Sequence, residues 1–330
     1  MQILDKTVAP LGMGCWPIGG EMYADGASVG YTGADDAEAL RAIHAALDHG
    51  ITLFDTAAAY GTGHAERLLA QGLKGRPEAV VVTKIGIAID EASKQLNGYE
   101  TDPARVQPAI DACLRRLERD CIDIVLLHQN ESPVAVAAPL FAEMDKARAA
   151  GKIRGFGWST DFTASAAAMA PREGFVAVQH AMNLFIPASR MQALMAETGL
   201  VTLLRSPLAM GLLSGKYDAQ TRLPAEDVRT ASLSSWAAYF QDGRPNPAFL
   251  DQMTAVRDLL TTGGRSLVQG ALGWLWAKRA ENIPIPGART AAQIEGLAGA
   301  LAFGPLPPAV MAEIETLIPR EAADAPDRQR

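Results

Sequence analysis

The chain has 330 residues, 48% of them hydrophobic, and a formal net charge of −7. That length supports a large core, either one big α/β barrel or two ordinary domains. The acidic balance argues against nucleic acid or an anionic membrane as the main partner, while leaving room for an anionic ligand at a locally positive site.

Cys15, Cys113 and Cys121 are an odd set with no metal-ligand spacing, as expected of reduced thiols in a cytosolic protein. The opening residues lack the apolar run of a signal peptide, and no apolar segment is long enough to span a bilayer. A cytoplasmic location is therefore expected. Nothing in the sequence reports on oligomeric state.

After a small N-terminal plug, Leu11-Gly12-Met13-Gly14-Cys15-Trp16 reads as a short first strand. Its glycines do not form a G-x-G-x-x-G fingerprint opening a helix, which argues against a Rossmann domain. Residues 21–34 are polar and glycine-rich and read as a loop. Asp35 then caps a helix whose Leu40, Ile43, Ala46 and Leu47 recur at helical spacing, with Gly50 ending it. Ile51-Thr52-Leu53-Phe54-Asp55 is a strand, and residues 64–73 a helix. Val80-Val81-Val82-Thr83-Lys84 is a strand, followed by an expected loop over 86–100. Thr101-Asp102-Pro103 starts a helix with a buried stripe at Val106, Ile110, Leu114 and Leu117. The charged run at 115–120 reads as its solvated end.

Ile124-Val125-Leu126-Leu127-His128 is the next strand, and a helix over 140–150 follows. The alternation repeats with strands at 155–159, 176–180 and 201–205 and helices at 162–169 and 191–198. A long loop, 206–247, precedes helices over 248–262 and 266–280. A short strand at 283–286 and a helix from Thr290 complete the series. From about residue 320 the chain reads as a frayed, flexible tail. Eight strand candidates, nearly all followed by helices, predict a single-domain (β/α)8 TIM barrel over residues 1–330.

In such a barrel the C-terminal ends of the strands face one mouth. Asp55, Lys84 and His128 occupy those ends, and Tyr60 follows Asp55 on the adjoining turn. A lysine ammonium favours the phenolate of a neighbouring tyrosine, so the phenol is expected to become a better acid. Asp55 is a counter-ion for the lysine, and a histidine can donate to a substrate oxygen. None of these four groups can give a hydride, so carbonyl reduction here needs a nicotinamide cofactor.

These stretches resemble the aldo-keto reductases. The resemblance rests on Gly50-Ile51-Thr52-Leu53-Phe54-Asp55-Thr56-Ala57 with Tyr60-Gly61, on Thr83-Lys84, and on Leu114-Arg115-Arg116-Leu117 leading to Asp123 and His128. It continues through Gly151-Lys152-Ile153-Arg154-Gly155-Phe156-Gly157-Trp158-Ser159, Gln179, Ser206-Pro207-Leu208, Gly211-Leu212-Leu213-Ser214-Gly215-Lys216-Tyr217 and Ile285-Pro286-Gly287-Ala288-Arg289-Thr290. It implies that Tyr60 is the general acid, Lys84 and Asp55 its tuning pair, and His128 the orienting donor. It also implies that Ser159, Thr160 and Gln179 hold the nicotinamide carboxamide, with Cys15 and Trp16 as the floor beside it and Arg205 in place of a stacking aromatic. Ser206, Leu208, Gly211 and Lys216 would lie along the pyrophosphate, and Gly287, Arg289 and Gln293 at the adenosine end.

Arg289 matches a 2′-phosphate, so NADP is the implied cofactor, with NADPH preferred over NADH. The chain departs from the pattern at Thr160 and Arg205, where asparagine and an aromatic are usual. It departs again at Gly296 and Leu297, where the adenine clamp often carries Glu and Asn. The implied activity is reduction of small aldehydes or ketones, including sugar-type substrates, or the reverse reaction. Two rivals are a nicotinamide-nucleotide-binding regulatory subunit on the same fold and a metal-dependent barrel hydrolase. The intact Asp-Tyr-Lys-His set counts against the first, and the lack of His-x-His or clustered carboxylates at the strand ends counts against the second.

Overall fold

The computed structural model describes residues 1–230 and 239–319. Eight parallel strands form one sheet: β1 (Gly12–Gly14), β2 (Leu53–Asp55), β3 (Val80–Ile85), β4 (Ile122–Leu127), β5 (Ile153–Ser159), β6 (Phe175–Ala181), β7 (Val201–Arg205) and β8 (Asn282–Pro284). Their order in the sheet is their order in the chain. A parallel bridge between Gly14 and Gly287 brings the segment after β8 back to β1, with Gly14 N donating to Pro286 O at 2.9 Å. A Cβ on Gly14 would stand 2.7 Å from Ile285 O, so this close approach requires glycine.

Helices α1 (Asp36–Asp48), α2 (His64–Gly72), α3 (Val106–Leu117), α4 (Val134–Ala149), α5 (Thr163–Met169) and α6 (Ser189–Thr198) connect successive strands. Both α7 (Pro247–Leu260) and α8 (Leu267–Lys278) lie between β7 and β8. After β8 come α9 (Ala291–Ala298), α10 (Ala300–Phe303) and α11 (Pro308–Leu317). The starts follow capping chemistry: Asp35 accepts from Glu38 N, Thr290 accepts from Gln293 N, and Ser266 and Gln269 form a capping box. The fold is the (β/α)8 barrel expected from the strand–helix rhythm.

The two-residue period of a strand produces two buried layers. Leu53, Val80, Val82, Ile124, Leu126, Ala177, Leu203 and Ile283 form the inner one, joined by Ile3 and Val8 of an N-terminal hairpin (Gln2–Ile3 with Lys6–Thr7). Phe54, Val81, Val125, Val178 and Leu204, on the alternate phase, pack with the helices. Continuing the inner phase by two residues gives Asp55 after Leu53, Lys84 after Val82 and His128 after Leu126. The same step gives Gln179 after Ala177 and Arg205 after Leu203. The pattern that fills the barrel with apolar side chains therefore crowns it with polar ones.

The structure departs from the sequence expectation in several places. Segments 21–34 and 86–100, expected as loops, contain hairpins: Tyr23–Ala24 with Ala27–Ser28, and Ile87–Asp90 with Gln95–Tyr99. Tyr23 and Ala24 pair with Gln95 and Leu96, joining both into a four-stranded sheet. The strands are too short to show an alternation. The Asp25-Gly26 turn, both residues at positive φ, was the available signal.

Helix α4 starts at Val134 rather than near 140, with Pro139 inside it. Pro139 and Ala135 are both exposed, so the carbonyl that loses its partner faces water. The run at 115–120 is not a purely solvated end. Arg116 is buried, donating to Glu66 Oε2 at 2.6 Å and to Glu91 Oε1 at 3.0 Å, because it sits three residues after the buried Cys113 on the same helix face.

The 206–247 segment carries short helical turns (Ala209–Ser214, Val228–Thr230) and a hairpin of Phe240–Gln241 with Arg244–Pro245. Tyr239 and Phe240 are buried, Tyr239 against Phe185 and Phe240 against Tyr217, so they pack this segment down. Trp236 and the tail from residue 320 lie outside the described residues.

Candidate active site

Strands β2 and β3 are neighbours in register, with Asp55 opposite Val82. Lys84 therefore stands one pleat higher than Asp55 on the adjacent strand. Its Nζ reaches Asp55 Oδ2 at 2.7 Å, Thr56 O at 2.8 Å and the Tyr60 hydroxyl at 3.1 Å, which uses all three ammonium donors. Gln179 Nε2 donates to Asp55 Oδ1 at 2.7 Å from the opposite side of the barrel. Both carboxylate oxygens are thus engaged, and Asp55 has one orientation.

Tyr60 is placed by its own turn and by the loop after β1. Gly61 has φ +58, and a Cβ there would stand 1.8 Å from Gly19 O, so the two loops meet backbone to backbone beside the phenol. The Tyr60 ring lies 6.1 Å from Trp16, near parallel, and 6.0 Å from His128, edge to face. Tyr31 in turn meets Trp16 edge-on at 5.3 Å. The four residues expected to form one cluster do so.

Protonation follows from burial and charge. Desolvation works against the Lys84 ammonium, but Asp55 and Tyr60 outweigh it and hold its pKa above the ordinary value. Burial pushes the Tyr60 phenol above its ordinary value, against the downward pull of Lys84. This corrects the expectation of a net more acidic phenol: loss of solvent outweighs one cation already shared with Asp55. The phenol consequently keeps its proton at neutral pH. Burial, with Lys84 and Arg205 adding to it, holds His128 well below the ordinary histidine range, so its ring is neutral. His128 Nδ1 is buried without a hydrogen-bond partner among the described residues.

His180, on the outward phase of β6, contacts Gln192 and Ala181 O rather than the mouth. Burial lowers its pKa to about 4. Between the unfolded value near 6.5 and that value, the unfolded chain binds the proton and the native chain does not. Stability is therefore full above the window and falls as pH drops through it, by about 3 kcal/mol across the full shift. Urea melts at pH 7 and pH 4 are expected to show that loss, and His180→Asn to have a smaller pH dependence.

The remaining expected residues divide into several groups. Ser159 lies opposite Gln179 in the β5–β6 register, and its hydroxyl has no partner among the described residues. Thr160 does not suit the expected clamp: it is fully buried, its hydroxyl donates to Asn130 O at 2.7 Å, and it accepts from Phe162 N. Cys15 is likewise wholly buried, its thiol toward Met13 O, and offers no exposed atom. Trp16 remains partly exposed beside Tyr60. Ser206, Ala209, Met210 and Gly211 have positive φ, so the chain turns tightly here, with Ala209 N donating to Ser206 O at 3.0 Å. Leu208 O is used within this turn, accepting from Gly211 N and Leu213 N, and Lys216 is exposed nearby.

Gly287 makes the barrel-closing bridge. Arg289 is exposed, tethered to Thr32 O at 3.2 Å, while Gln293 Oε1 accepts from Arg289 N and so braces the start of α9. Leu297 is buried in the core, and Gly296 has open space where a side chain would be. Arg205 forms an ion pair with Asp161, a residue absent from the sequence expectation although it adjoins the expected clamp. Among the described residues no group of three His, Cys, Asp or Glu side chains could hold a metal ion.

The family model for the Aldo/keto reductase family matches residues 10–319. The aldo-keto reductase YhdN of Bacillus subtilis is 30% identical over 301 residues, covering 87% of this chain and 83% of that protein. A Schizosaccharomyces pombe aldo-keto reductase whose name specifies NADP(+) is 28% identical, covering 91% and 86% respectively. Among solved structures, the glycerol dehydrogenase of Gluconobacter oxydans superposes with a TM-score of 0.79 at 27% identity, covering 96% of this chain and 93% of that one. With the strand-end cluster assembled on a closed (β/α)8 barrel, this chain belongs to the aldo/keto reductase family of oxidoreductases.

Proposed function

We propose that this protein reduces small aldehydes or ketones, sugar-type carbonyls among them, to alcohols with NADPH, or runs the reverse reaction, with Tyr60 as the proton donor. The observation that carries this reading is the Tyr60 hydroxyl 3.1 Å from a Lys84 ammonium that Asp55 keeps charged. When bound, the reduced nicotinamide supplies the hydride. Tyr60 hydrogen-bonds the carbonyl oxygen and releases its proton to it as negative charge develops there. Lys84 stabilises the phenolate left behind, and Asp55 keeps Lys84 ionised. Neutral His128 gives a second hydrogen bond that orients the carbonyl; its unsatisfied buried nitrogen supports a polar ligand at this position.

The residues present suit the cofactor. The uncommitted Ser159 hydroxyl beside Gln179 suits a carboxamide, with the Trp16 ring and Arg205 nearby. The left-handed turn containing Ser206, Leu208 and Gly211, with Lys216, suits a pyrophosphate. Exposed Arg289 suits a 2′-phosphate, favouring NADPH over NADH. A relative named for NADP(+) and a structural neighbour named as a glycerol dehydrogenase support the cofactor and the polyol-type substrate. The cytoplasm, which holds the soluble pool of reduced nicotinamide cofactor, is the compartment this reading implies.

The test is a titration of tryptophan fluorescence with NADPH and NADH, followed by NADPH oxidation with a panel of reactive aldehydes, ketones and sugars. Tighter binding of NADPH and turnover with part of the panel are expected. Tight NADPH binding with no oxidation by any compound would replace the reductase reading with the regulatory one.

A further inference from the structure

The β6–β7 register pairs Gln179 with Leu203 and Ala181 with Arg205. Leu203 belongs to the inner layer, so Arg205 stands one pleat above the level at which Gln179 reaches Asp55. Arg205 is paired with Asp161, on the turn between β5 and α5, with side chains 23% and 25% exposed. Asp161 is fixed from two further directions. Its Oδ1 accepts from Ala181 N at 2.8 Å at the end of β6, and its backbone N donates to Asn130 Oδ1 at 2.8 Å beyond β4. Four consecutive strand ends thus cooperate to hold one guanidinium at the mouth. Asp161 is its one hydrogen-bond partner among the described residues, leaving most of the five N–H donors uncommitted.

The charge of Arg205 reaches the reacting groups: it adds to the depression of His128 and to the downward pull on Tyr60. A hydride donor has to come within about 3.5 Å of a carbonyl carbon whose oxygen these two residues hold. A nicotinamide in that position lies inside the field of the guanidinium. Its oxidised ring is a cation and its reduced ring is neutral, so the field acts on one redox form and spares the other.

We propose that the Arg205–Asp161 pair tunes the redox balance of the bound cofactor, with Arg205 disfavouring the oxidised, cationic nicotinamide and Asp161 setting the strength of that effect by holding and partly neutralising the guanidinium. This rests on the nicotinamide reading above. Asp161 is a positioning residue acting through Arg205. The oxidised cofactor is bound more weakly and leaves more readily, and the potential of the bound couple is raised, so the equilibrium within the site is displaced toward the reduced nicotinamide while release of the oxidised one is favoured.

Separate equilibrium titrations with NADPH and NADP+, without a carbonyl substrate, test this on wild type, Arg205→Met, Arg205→Lys and Asp161→Asn, each checked for native circular dichroism. The readout is the ratio of the two dissociation constants. Arg205→Met is expected to shift the ratio toward NADP+ on the order of tenfold, equivalent to about 30 mV for a two-electron couple. Arg205→Lys keeps the wild-type ratio. Asp161→Asn, which removes the compensating charge, shifts it the other way. If Arg205→Met does not fold, the direction of the Asp161→Asn shift decides. Binding of both forms with a ratio indifferent to these substitutions, or shifts of the same sign in the Met and Asn variants, overturns this inference alone. A wild-type chain that binds neither form overturns the nicotinamide reading and this inference with it.

Discussion

Tyr60→Phe is expected to lower kcat by about 10²–10⁴-fold while leaving the affinity for NADPH unchanged. The substitution removes one oxygen and keeps the ring that Trp16 and His128 pack against, so the pocket keeps its shape. It takes away the only neutral proton donor that Lys84 contacts among the described residues. Burial holds the wild-type phenol protonated, so the loss is a loss of the donor across the neutral range rather than a shift in a pH profile. Steady-state NADPH oxidation with the best aldehyde of the panel, alongside a fluorescence titration, separates the two quantities. A variant turning over at the wild-type rate removes Tyr60 from its role.

Lys84→Met is expected to abolish measurable turnover and also to destabilise the fold by about 3–5 kcal/mol. Asp55 is 3% exposed, and Lys84 is its one cationic partner among the described residues. Without the ammonium the buried carboxylate keeps only the Gln179 amide, and Thr56 O loses its donor. Adding Asp55→Asn to Lys84→Met removes the stranded charge and is expected to recover most of the stability and none of the rate. Urea melts of the single and double variants measure the first effect, and the same assay as above the second. Recovery of the rate in the double variant would assign Lys84 a purely structural role.

The Arg116–Glu66 pair shows the same physics away from the mouth. Glu66 is fully buried on α2, accepting from Thr83 Oγ1 at 2.6 Å and from Arg116. Thr83 precedes Lys84, on the outward phase of β3. The strand that carries the ammonium inward is therefore tied outward to α2 and α3, and through Glu91 to the hairpin over 87–99. The two buried polar side chains at the end of β3, Thr83 outward and Lys84 inward, each meet a carboxylate from another element.

Much of this protein was determined locally. The alternation of strands and helices, the caps at Asp35, Ser266 and Thr290, and the two-residue phase that turns Asp55, Lys84, His128, Gln179 and Arg205 inward are all short-range properties of the sequence. A strand's side chains alternate whatever it pairs with, so the identity of the strand-end residues already implied a polar mouth above an apolar barrel. Tertiary structure alone decided what required distant segments to meet. The pairing of the two hairpins, the burial of Arg116 against Glu66 50 residues away, and the capture of Arg205 by Asp161 44 residues away depend on which surfaces come together. So do the inward locking of Thr160 and Cys15 and the net upward shift at Tyr60. Burial and opposite-charge contact set the state of each of these groups, and both are properties of the closed barrel that no stretch of sequence carries by itself.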